Sequence, residues 1–246
     1  MTECIHGLEL ERCDVCSPAP AGAPIANAKR RPAVTRRLAP AKARAVVRGT
    51  ASARPLRSLE GERAYHVTHV GNFAAIATSG ALRADISPEW DLSSVLTRDL
   101  RRSAEVSPGM SVAAYVPFFL SPAASRWEEL RGGAVNSTLW SDRARAAAST
   151  DYIILVSAIG SLGEHAVVTD GDAAGHLTRF AEGARGLELF ARIRDSNTAL
   201  EAELLAPMAV PLSSIQLIGV ANDRVRDRVR ALTSIKVSVY PPWFHA

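Results

Sequence analysis

Few residues of this 246-residue chain are placed to do chemistry, and most of them fall in two short stretches. In the first, Tyr65-His66-Val67-Thr68-His69-Val70-Gly71-Asn72, strand alternation puts His66 and Thr68 on one face, with Asn72 at the mouth of the next helix. Imidazole, hydroxyl and amide groups gathered this way can grip the amide and ribose of a nucleotide. The plainer alternative is a strand with partly exposed histidines and an Asn72 that only caps the helix. In the second stretch, Leu200-Glu201-Ala202-Glu203-Leu204-Leu205-Ala206-Pro207, acids interrupt an apolar run, and in extended backbone Glu201 and Glu203 share a face. A carboxylate in such surroundings must be paired, protonated or used. The alternative is an exposed pair on an edge strand, which Pro207 would permit.

A third cluster stands apart. Cys4, His6, Cys13 and Cys16 give four soft or borderline ligands within thirteen residues, which suits a closed tetrahedral Zn²⁺ knuckle. A C-x-x-C redox pair is the rival, but no thioredoxin-like βαβ pattern surrounds it. So short a segment builds no core of its own, so a metal would supply most of its folding energy. No cysteine follows Cys16, which excludes a thiol nucleophile from the rest of the chain. A G-x-G-x-x-G after a strand, a Walker A loop, H-E-x-x-H and a G-x-S-x-G elbow are all absent from the sequence. Catalysis is left to His, Arg, Asp, Glu, Ser or Tyr.

The elements that must position these groups divide the chain into three pieces. Residues 1–16 are the Cys/His segment. Residues 17–58 carry ten basic and no acidic residues in an Ala-, Pro- and Arg-rich run without apolar periodicity, and read as a disordered basic linker. Its charge could track a phosphate backbone or simply keep a tether solvated. Residues 59–246 carry 18 basic and 21 acidic residues, so the net +4 belongs to the linker and not to the folded part. This third piece reads as a strand at Tyr65–Val70, a short helix closed by Gly80, and a helix with Leu92, Leu96 and Leu100 as its buried stripe. A strand at Val112–Leu120, a helix at Pro122–Arg131 and a doubly buried strand at Asp151–Ala158 follow. Then come a helix at Ala174–Ala184, an extended Leu200–Ala206, a strand Ile215–Ala221, a helix Asn222–Leu232 and a strand Lys236–Tyr240. Strands and helices mix without a βαβ beat, which predicts an α+β domain of mixed or antiparallel sheets with flanking helices. The aromatic tail Tyr240–His245 is expected to dock on the core rather than stack on a base. No apolar run is long enough to span a membrane, and the start has no signal-peptide pattern, so a cytoplasmic protein is expected.

Read together, three anchors resemble the DarT family, the DNA ADP-ribosyltransferase toxins of toxin–antitoxin systems. Tyr65-His-Val-Thr-His-Val-Gly-Asn-Phe73 matches the family's Y-H-I-T-H-x-x-N-L. Tyr115-Val-Pro-Phe-Phe119 matches Y-V-P-F-Y-F, and Ala202-Glu203-Leu-Leu205 with Val210-Pro211 matches A-E-F-L and its later proline. The resemblance implies an NAD⁺-consuming enzyme that moves ADP-ribose to a base of single-stranded DNA, and a macrodomain antitoxin as partner. It implies Glu203 as the carboxylate that holds a ribose hydroxyl and steadies an oxocarbenium-like transition state. His66, Thr68 and Asn72 become the NAD⁺-binding set. The family's catalytic arginine matches Arg101, with Arg98 and Arg102 as shifted registers; it would contact an NAD⁺ phosphate or the target base. Where the family continues Pro-Arg-Ser-Pro-Met, this chain has Ser121-Pro122-Ala-Ala-Ser-Arg126-Trp127. That departure leaves the target base open. An RNA or protein acceptor, or a non-catalytic zinc and nucleic-acid-binding module, are the competing readings.

Overall fold

A computed structural model describes residues 61–84 and 86–245. The proposed zinc ligands Cys4, His6, Cys13 and Cys16 and the basic linker 17–58 lie outside the described residues. Among the described residues, twelve strands and six α-helices follow one another irregularly. The first part contains β1 (Arg63–His69), α1 (Phe73–Ser79), β2 (Ala81–Arg83), α2 (Val95–Ser103), β3 (Glu105–Ser107), β4 (Met110–Ser111) and β5 (Tyr115–Phe119). Next come α3 (Ser125–Arg131), α4 (Asp142–Ala146), β6 (Tyr152–Ala158), β7 (Val167–Thr169), β8 (Phe180–Glu182) and α5 (Gly183–Ile193). The last are β9 (Glu203–Pro207), β10 (Ala209–Pro211), β11 (Ile215–Val220), α6 (Asp223–Arg230) and β12 (Val237–Val239).

Eight strands form one sheet in the order β12-β11-β6-β1-β5-β9-β7-β8, antiparallel except for the β11–β12 pair. Period-2 alternation sends β6 into two cores. Ile153 and Leu155 join the aliphatic cluster with Phe73, Phe190 and Leu204, whereas Tyr152, Ile154 and Val156 join an aromatic one with Trp127 and Phe244. The apolar run at 152–158 is therefore buried on both faces, as its composition requires.

The sheet is nearly split at its middle. β1 runs in register with β6 from Arg63↔Ala158 to His69↔Tyr152, and β5 with β9 from Tyr115↔Pro207 to Phe119↔Glu203. Between β1 and β5 the pairing is Tyr65↔Phe119 alone. Pro117 supplies the local reason: proline has no N–H to offer a ladder. Its carbonyl instead meets the His66 ring, Nδ1 at 2.8 Å. β1 and β5 diverge from that point, and the opening between them is the cleft described below.

Three expectations need correction. The leucines of α2 are not a buried stripe: Leu96 is 49% exposed and no residue of the helix is fully buried. The helix instead turns Arg98 and Arg101 inward, because Asp91 and Glu203 wait there as partners. The helix expected at 174–184 is a turn followed by β8, and helical backbone begins only at Gly183. Strand pairing overrides the helix: Phe180, Ala181 and Glu182 pair with Thr169, Val168 and Val167 of β7, and Gly183, at φ +57°, turns the chain into α5. Glu201 does not share a face with Glu203, because it ends a 3₁₀ turn in helical backbone and points outward. The tail docks as expected: Phe244 is fully buried, and Trp127 Nε1 donates to the Trp243 carbonyl at 2.6 Å.

Candidate active site

The β1 wall of the cleft is built from neutral hydrogen bonds. A backbone carbonyl only accepts, so His66 Nδ1 must carry the proton it shares with Pro117 O, which leaves Nε2 as an acceptor. Burial pushes the His66 pKa below its ordinary 6.5; the Pro117 bond opposes this and the nearby Arg101 guanidinium reinforces it. Thr68, buried, accepts from Asn72 Nδ2 at 3.1 Å. Asn72 does not cap α1. Its amide clamps the backbone of Trp90 instead, Oδ1 taking the Trp90 N–H at 3.0 Å and Nδ2 giving to the Trp90 carbonyl at 2.9 Å. The Trp90 ring stacks on His69, with centroids 3.7 Å apart, and Arg143 lies over the ring at 4.5 Å. A Cβ at Gly71 would sit 2.6 Å from Trp90 Nε1, so only glycine admits this stack. The loop before α2 is thus tied to β1 by Asn72.

The opposite wall is charged. Glu203, 4% exposed, opens β9, an interior strand between β5 and β7. The edge-strand alternative does not hold. Arg101 Nη1 donates to Glu203 Oε2 at 3.1 Å, and the Ala173 N–H donates to Oε1 at 3.1 Å. Thr169 Oγ1 accepts the Glu203 N–H at 2.7 Å and donates to Gly171 O at 2.6 Å, fixing strand and loop together. Both carboxylate oxygens are engaged, as a buried carboxylate requires. Arg101 is less complete: Nη2 is buried with no partner, alone in this among the described residues. An unmet buried donor is costly, so an acceptor that is not part of this chain fits there.

Two chambers are both lined by His66, Thr68 and Asn72 from one wall and by Arg101 from the other. The larger, about 560 Å³, is flanked by Arg83, Arg98 and Arg102; the smaller, about 240 Å³, by Phe119, Trp127, Trp140, Arg126, Asp172 and Glu203. The first volume lies in the ordinary range for small-molecule sites. His66, Thr68, Asn72, Arg101 and Glu203, singled out from three distant stretches of sequence, therefore meet at one cleft. Arg98 pairs with Asp91 at 2.5 Å, and Arg102 pairs with Asp99 at the surface, so of the three registers only Arg101 reaches Glu203. Sequence reasoning missed Trp90, Thr169 and Ala173. Two of these act through backbone groups, which residue type does not reveal; the turn composition of Asp170-Gly-Asp172-Ala-Ala-Gly175 was the available signal. Among the described residues no three His, Cys, Asp or Glu side chains could hold a metal, and no helix is long and apolar enough to cross a membrane.

Comparison with solved structures finds the same fold. Thermus sp. 2.9 DarT in complex with ADP-ribosylated ssDNA superposes with a TM-score of 0.63 at 22% identity, over 76% of this chain and 97% of that one. The same protein in complex with NAD⁺ gives 0.60 at 23%, over 76% and 98%. Thermosipho africanus DarTG in complex with ADP-ribose gives 0.58 at 17%, over 74% and 51%. No curated protein sequence matches. The sequence profile of the family described as ssDNA thymidine ADP-ribosyltransferase, DarT, matches residues 65–245. That span holds β1 from Tyr65 onward, the cleft and both charged partners, and the chain belongs to the DarT family of single-stranded DNA thymidine ADP-ribosyltransferases.

Proposed function

We propose that this protein transfers ADP-ribose from NAD⁺ to a thymidine base of single-stranded DNA and releases nicotinamide. The observation that carries this reading is the buried Arg101–Glu203 pair, with its unspent Nη2, in a cleft between two chambers. The larger, arginine-flanked chamber suits the pyrophosphate and adenosine of NAD⁺, and the smaller, aromatic one suits an unstacked acceptor base. Neutral His66 accepts from a ribose hydroxyl through Nε2, and Thr68 completes that wall. Asn72 acts mainly through the loop it clamps, since its amide is already committed to Trp90 and Thr68.

In the reaction the bond from the ribose anomeric carbon to nicotinamide breaks, its electron pair leaving with nicotinamide. The acceptor base bonds to that carbon and gives up one proton. Positive charge builds on the ribose, where Glu203 can offset it in a site with little water. Arginine stays protonated, so Arg101 aids by attraction: its free N–H meets a phosphate or base oxygen and stabilises the deprotonating base. Two further parts of the reading concern a structural Zn²⁺ on Cys4, His6, Cys13 and Cys16, and a macrodomain antitoxin that removes the mark. Stoichiometric zinc in the purified chain, and loss of the mark on adding such a partner, are their respective tests.

The main test is mass spectrometry of oligonucleotides after incubation with NAD⁺. A gain of one ADP-ribose on thymidine-containing single strands, absent with Glu203→Gln, is expected. A gain only on RNA or protein would move the acceptor, and no gain or nicotinamide release with folded protein would leave a binding module.

A further inference from the structure

The smaller chamber holds a second ion pair that the mechanism above does not use. Arg126, in the first turn of α3, reaches Asp172 in the β7–β8 turn, with side chains 20% and 26% exposed. The same guanidinium lies 3.8 Å from Glu129, which takes a hydrogen bond from Trp140 Nε1 at 3.0 Å. Asp172 organises its turn. Oδ1 accepts from Ala174 N at 3.0 Å, and its carbonyl accepts from Gly175 N at 2.8 Å and Thr178 Oγ1 at 2.6 Å. The next residue, Ala173, is fully buried and gives its N–H to Glu203 Oε1.

A glutamate carboxyl rotates freely about its last bond, so one donor fixes one oxygen and leaves the plane undetermined. Arg101 fixes Oε2; the second constraint is Ala173, whose place depends on Asp172. Without Arg126, Asp172 would stand as a half-buried negative charge beside a second carboxylate, and repulsion would drive the turn away from Glu203.

We propose that Arg126 is a positioning residue for the transfer reaction: by neutralising Asp172 it pins the turn so that the Ala173 N–H holds Glu203 aimed between the two chambers. The kinetic part of this inference rests on the function proposed above; the structural part does not. Amide NMR of the full chain separates them. In Arg126→Ala, the Ala173 N–H resonance should shift in the direction seen in Glu203→Gln, and Arg126→Lys should largely restore it. With DNA and NAD⁺, Arg126→Ala should lose about ten- to a hundred-fold in kcat at an unchanged KM for DNA. Adding Asp172→Asn to Arg126→Ala should recover part of both losses, because it removes the stranded charge that repels the turn. An unmoved Ala173 resonance in folded Arg126→Ala overturns the proposal. So does a raised KM for DNA at full kcat, since Arg126 would then contact the strand itself. A wild-type protein that modifies no acceptor defeats the proposed function alone, and the resonance still decides the role of Arg126.

Discussion

The two walls of the cleft solve the same problem in opposite ways. On the β1 wall, His66, Thr68 and Asn72 are neutral and are held by bonds to Pro117, to each other and to Trp90. On the β9 wall, a carboxylate and a guanidinium are buried together, and one nitrogen of the pair is left without an acceptor. A saturated wall supplies shape; an unsaturated charged one stores a demand that a ligand can meet. The difference predicts where substitutions remove chemistry and where they only loosen binding.

The largest effect should come from the charged wall. Glu203→Gln keeps the size of the side chain and removes its charge, and nicotinamide release should fall by about two to three orders of magnitude. A rate near wild type would show that the carboxylate is not opposite the developing charge. Arg101→Ala should abolish transfer and also destabilise the fold by about 3–5 kcal/mol, because Glu203 would be left as a buried charge without its partner. Denaturant unfolding measures that cost, and a loss under 1 kcal/mol would mean that water reaches Glu203 freely.

The neutral wall should respond more gently. Asn72→Ala removes both bonds to Trp90, with an expected cost of about 1–3 kcal/mol and a rise in KM for NAD⁺ larger than any fall in kcat. A pure kcat effect would place the Asn72 amide at the reacting centre. A control lies outside the cleft: a Cβ at Gly219 would meet the Trp243 ring at 2.6 Å, so Gly219→Ala should loosen the tail by about 1–3 kcal/mol and leave the activity of folded molecules intact. The smallest effect concerns pH. His66 lies below its ordinary 6.5 because of burial, so its neutral ring should persist as pH falls to 6.5. KM for NAD⁺ should stay flat to that point and rise only at lower pH. Stability should decline over the same acid range, because the unfolded histidine binds its proton first. A rise in KM that begins above 6.5 would assign the titration to another group.

The elements most legible in the sequence were those whose pattern has one solution. The apolar run Asp151–Ala158 read as a strand covered on both faces, and the charged stretch Asn222–Leu232 read as a helix, which the structure begins one residue later with Asn222 as its cap. Glu201 and Glu203 stood out together because carboxylates amid leucines need a reason, and the resemblance of Ala202-Glu-Leu-Leu205 to the family's A-E-F-L chose Glu203. The leucine spacing in α2 misled, because periodicity marks a stripe without saying what lies opposite; Asp91 just ahead of the helix and Glu203 far along the chain decided which face turned inward. The stretch at 174–184 misled because residues 180–182 pair with β7, a partner that the local pattern does not contain. Trp90 and Ala173 contribute backbone groups, and backbone groups are the same in every residue.

Pro117 has a consequence for the thermodynamics of binding. Its ring removes a donor by covalent structure, so β1 and β5 cannot zip together at that level, whatever the ligand state. A cleft held apart in this way exists before any ligand arrives. Little of the binding energy of a substrate is then consumed in opening it, and more remains to order the mobile dinucleotide and the single strand. One imino acid in the middle of a strand thus acts as a permanent wedge, installed when the chain is synthesised.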